Sequence, residues 1–249
     1  MAIIGGAAGY RILKHFWPKG ETGYLDGSAY QSKSKLEVLL GDDVWSKVSD
    51  KVVIDFGCGS GAEAVEMAQR GARRVIGVDT MEPLLKVARG AAEAAGVADR
   101  CLFAPATDEK ADVILSMDAF EHFEEPEEIL SHMRGLIKED GRALICFGPT
   151  WYHPLGGHIF SVFPWAHFVF TERAFIRWFR DFNPDNHTSF RSVGLNRMTV
   201  SRFENILKRS CWRAERFEAV PIRRLRRISN RWTREFTTAI VRCELVPKR

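Results

Sequence analysis

The run Asp55-Phe56-Gly57-Cys58-Gly59-Ser60-Gly61 follows the β-branched residues Val52-Val53-Ile54 and leads directly into a helical pattern from Ala62 to Arg70. Glycine allows a backbone to turn sharply while leaving its amide N–H groups uncovered. The run therefore reads as a buried parallel strand, a tight turn and a helix N-terminus, the geometry of a nucleotide-type pocket. A second apolar run, Val75-Ile76-Gly77-Val78-Asp79, also ends in an acid, 24 residues after Asp55. An acid at that place in a doubly wound sheet accepts hydrogen bonds from ribose hydroxyls. The turn is G-x-G-x-G, without the G-x-x-G spacing that cradles a pyrophosphate or the G-x-x-x-x-G-K-[ST] loop that holds a triphosphate. A ligand with a ribose and no phosphates fits this pairing.

A third segment, Asp112-Val113-Ile114-Leu115-Ser116-Met117-Asp118-Ala119-Phe120-Glu121-His122, completes an ordered set. With these three segments the chain, over about residues 45 to 150, resembles the class I S-adenosylmethionine-dependent methyltransferases. The resemblance implies an α/β fold: a doubly wound, seven-stranded Rossmann-like sheet whose last strand is antiparallel. It also implies S-adenosylmethionine as cofactor. Carried onto the matching positions, it gives that cofactor contacts with Asp55, Gly57, Cys58, Gly59, Gly61, Asp79, Thr80 and Met117, and with Tyr30 from an N-terminal cap. Tyr24 is a second lid candidate, and ordinary aromatic packing is the alternative for both tyrosines. One departure from the family is the short segment Pro105 to Lys110, where no acid directly follows the third strand. Adenine recognition would then rest on backbone groups or on Asp108.

The elements that must position these residues alternate from Lys51 to Phe147. Strands are expected near 52–56, 74–79, 100–104, 112–117 and 142–147, and helices near 60–70, 82–95 and 127–137. Strands separated by helices imply parallel pairing with right-handed crossovers. A helix over Thr199 to Lys208 and strands over Trp212 to Val220 and Glu235 to Leu245 close the sheet. The expected organisation is one domain: an N-terminal cap (1–45), a cofactor-binding core (46–148), an insertion after the fifth strand (149–198) and a closing helix and strands (199–249). Within the cap, Tyr10 to Trp17 is a short amphipathic stretch broken by Pro18, and Ser28 to Leu40 reads as a helix ending at Gly41.

Methyl transfer from a sulfonium is an in-line displacement, so the protein mainly positions nucleophile and methyl carbon. Some acceptors also need a base. Ligands of open α/β folds bind at the carboxyl ends of the strands, and two segments reach there. Asp118 could orient the acceptor or the cofactor's ammonium, or simply cap the next turn; His122 beside it reads as a packing residue. No [ND]-P-P-[YF] tetrapeptide follows the fourth strand, which argues against amide-type or exocyclic base amino acceptors. The second segment, Trp151 to Phe170, holds seven aromatics and three histidines within twenty residues. Such a long loop suits a cap over a small, partly apolar or aromatic acceptor. His153 and His158 are its candidate bases because imidazole titrates near working pH, and Tyr152 could orient the acceptor. Their alternative is a hydrophobic subdomain with hydrogen-bonded histidines. The spacing H-x4-H-x8-H matches no standard ligand pattern, so no metal is expected.

Composition is that of a soluble globular protein, with 45% hydrophobic and 27% charged residues among 249. Five widely spaced cysteines without a C-x-x-C suggest reduced thiols. The opening residues carry no secretory pattern, so a cytoplasmic setting is expected. Charge is uneven: residues 1–150 hold 17 basic against 24 acidic residues, and residues 151–249 hold 19 against 8. Six arginines lie between Ile222 and Arg234, interleaved with Leu225, Ile228 and Trp232. That stretch could meet anionic lipid head groups or a phosphate-bearing substrate. It could equally be a solvated connection between the last two strands, with Trp232 in the core. The reading is methyl transfer to a small-molecule acceptor at O, N or C. Methylation of RNA or protein through the basic C-terminal part ranks behind it, because no nucleic-acid-binding module is visible. A non-catalytic, S-adenosylmethionine-binding or membrane-peripheral protein is the remaining alternative.

Overall fold

The β-branched runs of the first half lie side by side in one sheet. The computed structural model describes residues 2–20, 33–183 and 185–248. Its strands are β1 (Val52–Phe56), β2 (Arg74–Val78), β3 (Cys101–Ala104), β4 (Ala111–Met117), β5 (Ile137–Phe147), β6 (Trp212–Pro221) and β7 (Thr238–Pro247). They are ordered β3-β2-β1-β4-β5-β7-β6. Strands β1 to β5 pair in parallel, whereas β7 runs antiparallel to both β5 and β6. The seven-stranded doubly wound sheet expected above is present, with its antiparallel last strand seated between β5 and β6.

The helices are α1 (Gly6–Phe16), α2 (Lys35–Leu40), α3 (Val44–Val48), α4 (Ala62–Gln69), α5 (Glu82–Ala94), α6 (Pro126–Leu136), α7 (Ala166–Val169), α8 (Glu172–Phe179), α9 (Val200–Arg209) and α10 (Arg234–Thr237). Side chains alternate across a strand, and both faces of this sheet are covered. Val53, Val75, Val113 and Leu115 pack with Leu36, Val44, Met67 and Leu85 from α2 to α5. On the other face Ile54, Ile76 and Ile114 meet Leu130 and Met133 of α6 and Phe203 of α9. None of the described helices is long and apolar enough to cross a membrane.

Several boundaries differ from expectation, among them the starts of β5, β7 and α2. Strand β5 begins at Ile137, because the charged residues after it are held in the ladder region: Lys138 Nζ lies 2.6 Å from Asp112 Oδ1. Strand β7 begins at Thr238, because Glu235 caps α9, its Oε2 accepting from Val200 N (3.1 Å) and its Oε1 from Ser201 N (2.8 Å). Helix α2 begins at Lys35 behind the N-cap Ser34, whose hydroxyl accepts from Glu37 N at 3.2 Å. Tyr24 and Tyr30 lie outside the described residues. The basic stretch is indeed the β6–β7 connection, but Trp232 is 78% exposed and not tucked into the core.

The segment after β5 builds an aromatic core of its own. Phe160, Phe175, Trp178 and Phe190 are buried with Leu13 of α1, and α1 packs along α8. The Trp178 indole N–H donates to Trp17 O at 2.8 Å. His167 is buried there; its Nε2 lies 2.8 Å from Trp151 O, and its Nδ1 has no partner among the described residues. Burial, opposed by the Trp151 carbonyl, lowers the His167 pKa to about 4.

Gly61 has φ +79°, and a Cβ there would lie 2.6 Å from Ala88 Cβ and 2.9 Å from the Phe103 ring. Gly61→Val is expected to destabilise the fold by about 2–4 kcal/mol in urea unfolding, from left-handed strain plus overpacking. The depressed His167 pKa stabilises the native state above the unfolded-state value near 6.5, and this contribution is lost as pH falls toward 4. His167→Gln should remove up to about 3 kcal/mol of that acid-side loss, read as a flatter dependence of tryptophan fluorescence melts on pH between roughly 6.5 and 4.

Candidate functional site

Strand β1 lies next to both β2 and β4, so a crevice opens beyond their carboxyl ends. The glycine turn is pinned there: Gly57 N and Cys58 N donate to Val78 O at 2.8 and 3.1 Å. Gly57, Gly59 and Gly61 all have positive φ. A Cβ at Gly57 would press on Ala119 at 2.9 Å, whereas one at Gly59 would meet only open space. Gly59 therefore leaves open space beside its Cα. Its N–H donates to Asp79 Oδ2 at 2.9 Å, and Met81 N donates to Asp79 Oδ1 at 2.9 Å. Each carboxylate oxygen accepts two hydrogen bonds, so Asp79 keeps acceptor capacity for a vicinal diol.

The remaining cofactor candidates fall unevenly around this turn. Met117 is buried at the end of β4 and Thr80 is exposed after Asp79. Cys58 is buried, and burial pushes its thiol pKa up, so it acts as a small packing group. Asp55 is buried between β2 and β4, and its Oδ2 has no partner among the described residues. Burial, reinforced by the charge of Glu63, pushes this carboxyl toward its neutral form. Asp108 is exposed in the coil after β3. Tyr30 lies outside the described residues.

Beside the turn, over the ends of β1, β4 and β5, lies an open cleft of about 840 Å³. Asp118, Glu121, His122, His153 and His158 all line it. Lys35 Nζ bridges Glu63 Oε1 (3.0 Å) and Asp118 Oδ2 (2.9 Å). Burial works against the Lys35 charge, but the attraction of Asp118 and Glu63 outweighs it and raises the pKa. Asp118 sits at φ +47°, with its N–H on Cys146 O at 2.8 Å. Glu121 is buried; its Oε1 accepts from Gly148 N at 3.1 Å and its Oε2 has no partner among the described residues. Burial and then the Asp118 charge raise its pKa to about 8.

The imidazoles differ in which nitrogen is free. His153 Nδ1 accepts from Leu155 N at 2.9 Å, which leaves Nε2–H as a donor. Burial lowers its pKa to about 4. His158, at φ +51°, has its pKa lowered to about 3 by burial and the neighbouring His122, against a hydrogen bond to the Pro149 carbonyl. His122 Nδ1 lies 2.8 Å from Gly194 O, a carbonyl that can only accept. In the neutral ring the proton is therefore assigned to Nδ1, which leaves the lone pair on Nε2. The His122 and His158 rings are 5.1 Å apart. Tyr152 is not among the lining residues; its ring stacks on Phe168 at 5.6 Å and lies 5.0 Å from Phe236. Among the described residues no cluster of three or more metal-ligating side chains occurs.

Sequence reading placed Asp118, His153 and His158 in one region and passed over three partners. Glu121 stood within the quoted third segment, and its burial is the only signal that singles it out. His122 was assigned to packing, and its freedom depends on a carbonyl 72 residues away. Lys35 carries no local pattern at all.

Residues 54–145 match the family described as "Methyltransferase domain". A ubiquinone biosynthesis O-methyltransferase of Neisseria meningitidis serogroup C is 39% identical over 98 residues, covering 36% of this chain and 41% of that protein. A ribosomal protein L11 methyltransferase of Photobacterium profundum is 41% identical over 85 residues, covering 32% of this chain and 28% of that protein. The chain thus spans less than half the length of these curated relatives. Among solved structures, an S-adenosylmethionine-dependent methyltransferase from Mesorhizobium loti superposes with a TM-score of 0.55 at 18% identity, over 80% of this chain and 92% of that one. The mitomycin 7-O-methyltransferase gives 0.53 at 17% identity, over 83% of this chain and 52% of that one. At such identities the superpositions speak for the fold alone. The glycine turn, the acid at the end of β2 and the sheet order agree with the matched segment, and residues 54–145 form a methyltransferase domain of the class I, S-adenosylmethionine-dependent kind.

Proposed function

We propose that this protein transfers a methyl group from S-adenosylmethionine to a small, partly apolar or aromatic acceptor bound in the cleft over β1, β4 and β5. One observation carries the reading: a roomy cleft beside a bare glycine turn, floored by a buried carboxyl oxygen with no partner and ringed by neutral imidazoles. The likeness to the Neisseria ubiquinone biosynthesis O-methyltransferase supports an acceptor of this kind.

The residues present fit the cofactor. Asp79 would hold the ribose diol, and the uncovered main chain at Gly59 would let the ligand approach closely. The Lys35–Asp118–Glu63 bridge would leave carboxylate oxygens near the ammonium and sulfonium charges. When bound, S-adenosylmethionine supplies an activated methyl carbon with a neutral thioether as leaving group. The protein's own task is then to align the acceptor and remove its proton. His122 is the proposed base, since its Nε2 lone pair is free and its Nδ1–H is fixed by Gly194. His153 would donate through Nε2–H, and His158, held neutral, would pack against the acceptor as a polar wall. Glu121, protonated below about pH 8, would donate a hydrogen bond to acceptor oxygen.

A protein acceptor is the second reading, favoured by the ribosomal protein L11 methyltransferases among the relatives.

Asp79→Ala is expected to weaken S-adenosylmethionine binding in isothermal titration by roughly 10- to 100-fold, the value of hydrogen bonds to a charged acceptor. A change within twofold would remove the ribose assignment. With simple catechols as probe acceptors and radiolabelled methyl transfer as readout, His122→Gln should lower turnover by about 10²- to 10⁴-fold while donor affinity is kept. Comparable loss in His158→Gln with His122→Gln near normal would move the base to His158.

A further inference from the structure

The connection between β6 and β7 presents a surface that methyl transfer does not require. Between Ile222 and Phe236 it holds six arginines and one glutamate. Arg234 is engaged with Glu204, and Glu235 caps α9. Among the described residues Arg223, Arg224, Arg226, Arg227 and Arg231 face no carboxylate within ion-pair distance. Three large apolar side chains stand among them in solvent: Trp232 (78% exposed), Ile228 (58%) and Phe236 (48%). The Arg231 guanidinium lies 4.4 Å from the centre of the Trp232 ring.

This exposure belongs to a built loop. Ile222 N donates to Thr237 O at 2.7 Å, closing its base, and Leu225 N donates to Ile222 O at 2.7 Å. Asn230 Oδ1 accepts from Trp232 N at 2.8 Å, and the Thr233 hydroxyl donates to Ile228 O at 2.6 Å. Its place in the fold is equally defined. Pro221 pairs with Thr238, and Val241 pairs with Phe147 at the carboxyl end of β5. The loop therefore projects from the same sheet edge as the cleft, whose wall includes Ala239 and Ile240. Phe236 continues the apolar surface to Tyr152, and the half-exposed Trp165 donates its indole N–H to Tyr152 O at 3.0 Å.

We propose that the 222–236 loop docks the cleft edge of this protein onto an anionic lipid bilayer. Unpaired guanidinium groups match anionic head groups, and Trp beside Arg is suited to the depth where an apolar ring is buried and its polar edge stays wet. Ile228 and Phe236 distinguish a bilayer from RNA: a polyanion would use the arginines and the Trp232 ring face, but an exposed aliphatic side chain has no counterpart on a nucleic-acid backbone. Docked this way, the cleft opens beside the lipid and an amphiphilic acceptor could enter from it, a consequence that rests on the methyl-transfer reading; the docking itself does not.

The test is sedimentation of the full chain with vesicles of phosphatidylcholine, alone or mixed with phosphatidylglycerol, at low and high salt. Binding to the mixed vesicles, weakened by salt, is expected. Each basic side chain near an anionic surface is worth roughly fivefold in partitioning, so Arg226→Gln/Arg227→Gln/Arg231→Gln should lose about a hundredfold. Trp232→Ala should weaken binding separately and abolish quenching of the loop's fluorescence by brominated lipid chains. Both variants should bind S-adenosylmethionine as wild type does, because the altered residues are on the surface; loss of donor binding by the wild type would instead count against the function proposed above. The inference is overturned if the wild type stays in the supernatant, if the triple variant binds equally, or if single-stranded RNA displaces the protein from mixed vesicles at equal charge.

Discussion

The two oxygens of Asp79 hold the site together. One accepts from Gly59 N and the other from Met81 N, both at 2.9 Å, so a single carboxylate ties the turn after β1 to the start of the segment leading into α5. The turn could not close this way with side chains in it. A Cβ at Gly61 would collide with Ala88 and Phe103, and one at Gly57 with Ala119. The glycines therefore serve two needs at once: backbone angles closed to other residues, and close packing of the turn against its neighbours. What is left open, at Gly59, is space beside the main chain, where no side chain intervenes.

Around that turn the chain uses burial to set protonation. Asp55 and Glu121 are pushed toward the neutral acid, and His153 and His158 toward the neutral ring, mainly because a low-dielectric setting disfavours any charge. The Lys35 bridge keeps its charge because Asp118 and Glu63 return more by attraction than desolvation takes away. The result is a cleft with hydrogen-bonding groups on its wall and few free charges deep inside it. Such a lining suits an acceptor with a polar handle on an apolar body.

The insertion contributes to the cleft from its own foundation. Phe160, Phe175, Trp178 and Phe190 form a core separate from the two that cover the sheet, and α1 completes it with Leu13. Pro149, His153, Leu155 and His158 reach the cleft from its near edge. Most of the aromatic residues between Trp151 and Phe170 thus build the support, and only a few residues of the segment face the ligand space. A rigid base of this kind lets a long loop hold side chains in fixed positions without belonging to the sheet.

The order of alternating strands and helices, the glycine turn and the acid at the end of β2 were legible in the residues themselves, because each depends on local periodicity or on a backbone angle that favours glycine. The start of β5 was hidden by Lys138-Glu139-Asp140-Gly141, a charged run that reads as a turn until its ion pair with Asp112 is seen. The placement of Tyr152 away from the cleft, the exposure of Trp232 and the free nitrogen of His122 were likewise out of reach of local pattern. Each is set by a partner distant in the chain: Phe168 and Phe236 for Tyr152, the closed 222–237 loop for Trp232, Gly194 for His122. Sequence by itself determined the sheet and the glycine turn beside the acid at its carboxyl edge. Only tertiary structure decided which side chains face the cleft and which of them burial holds neutral, because burial and long-range hydrogen bonds exist only once the chain has folded.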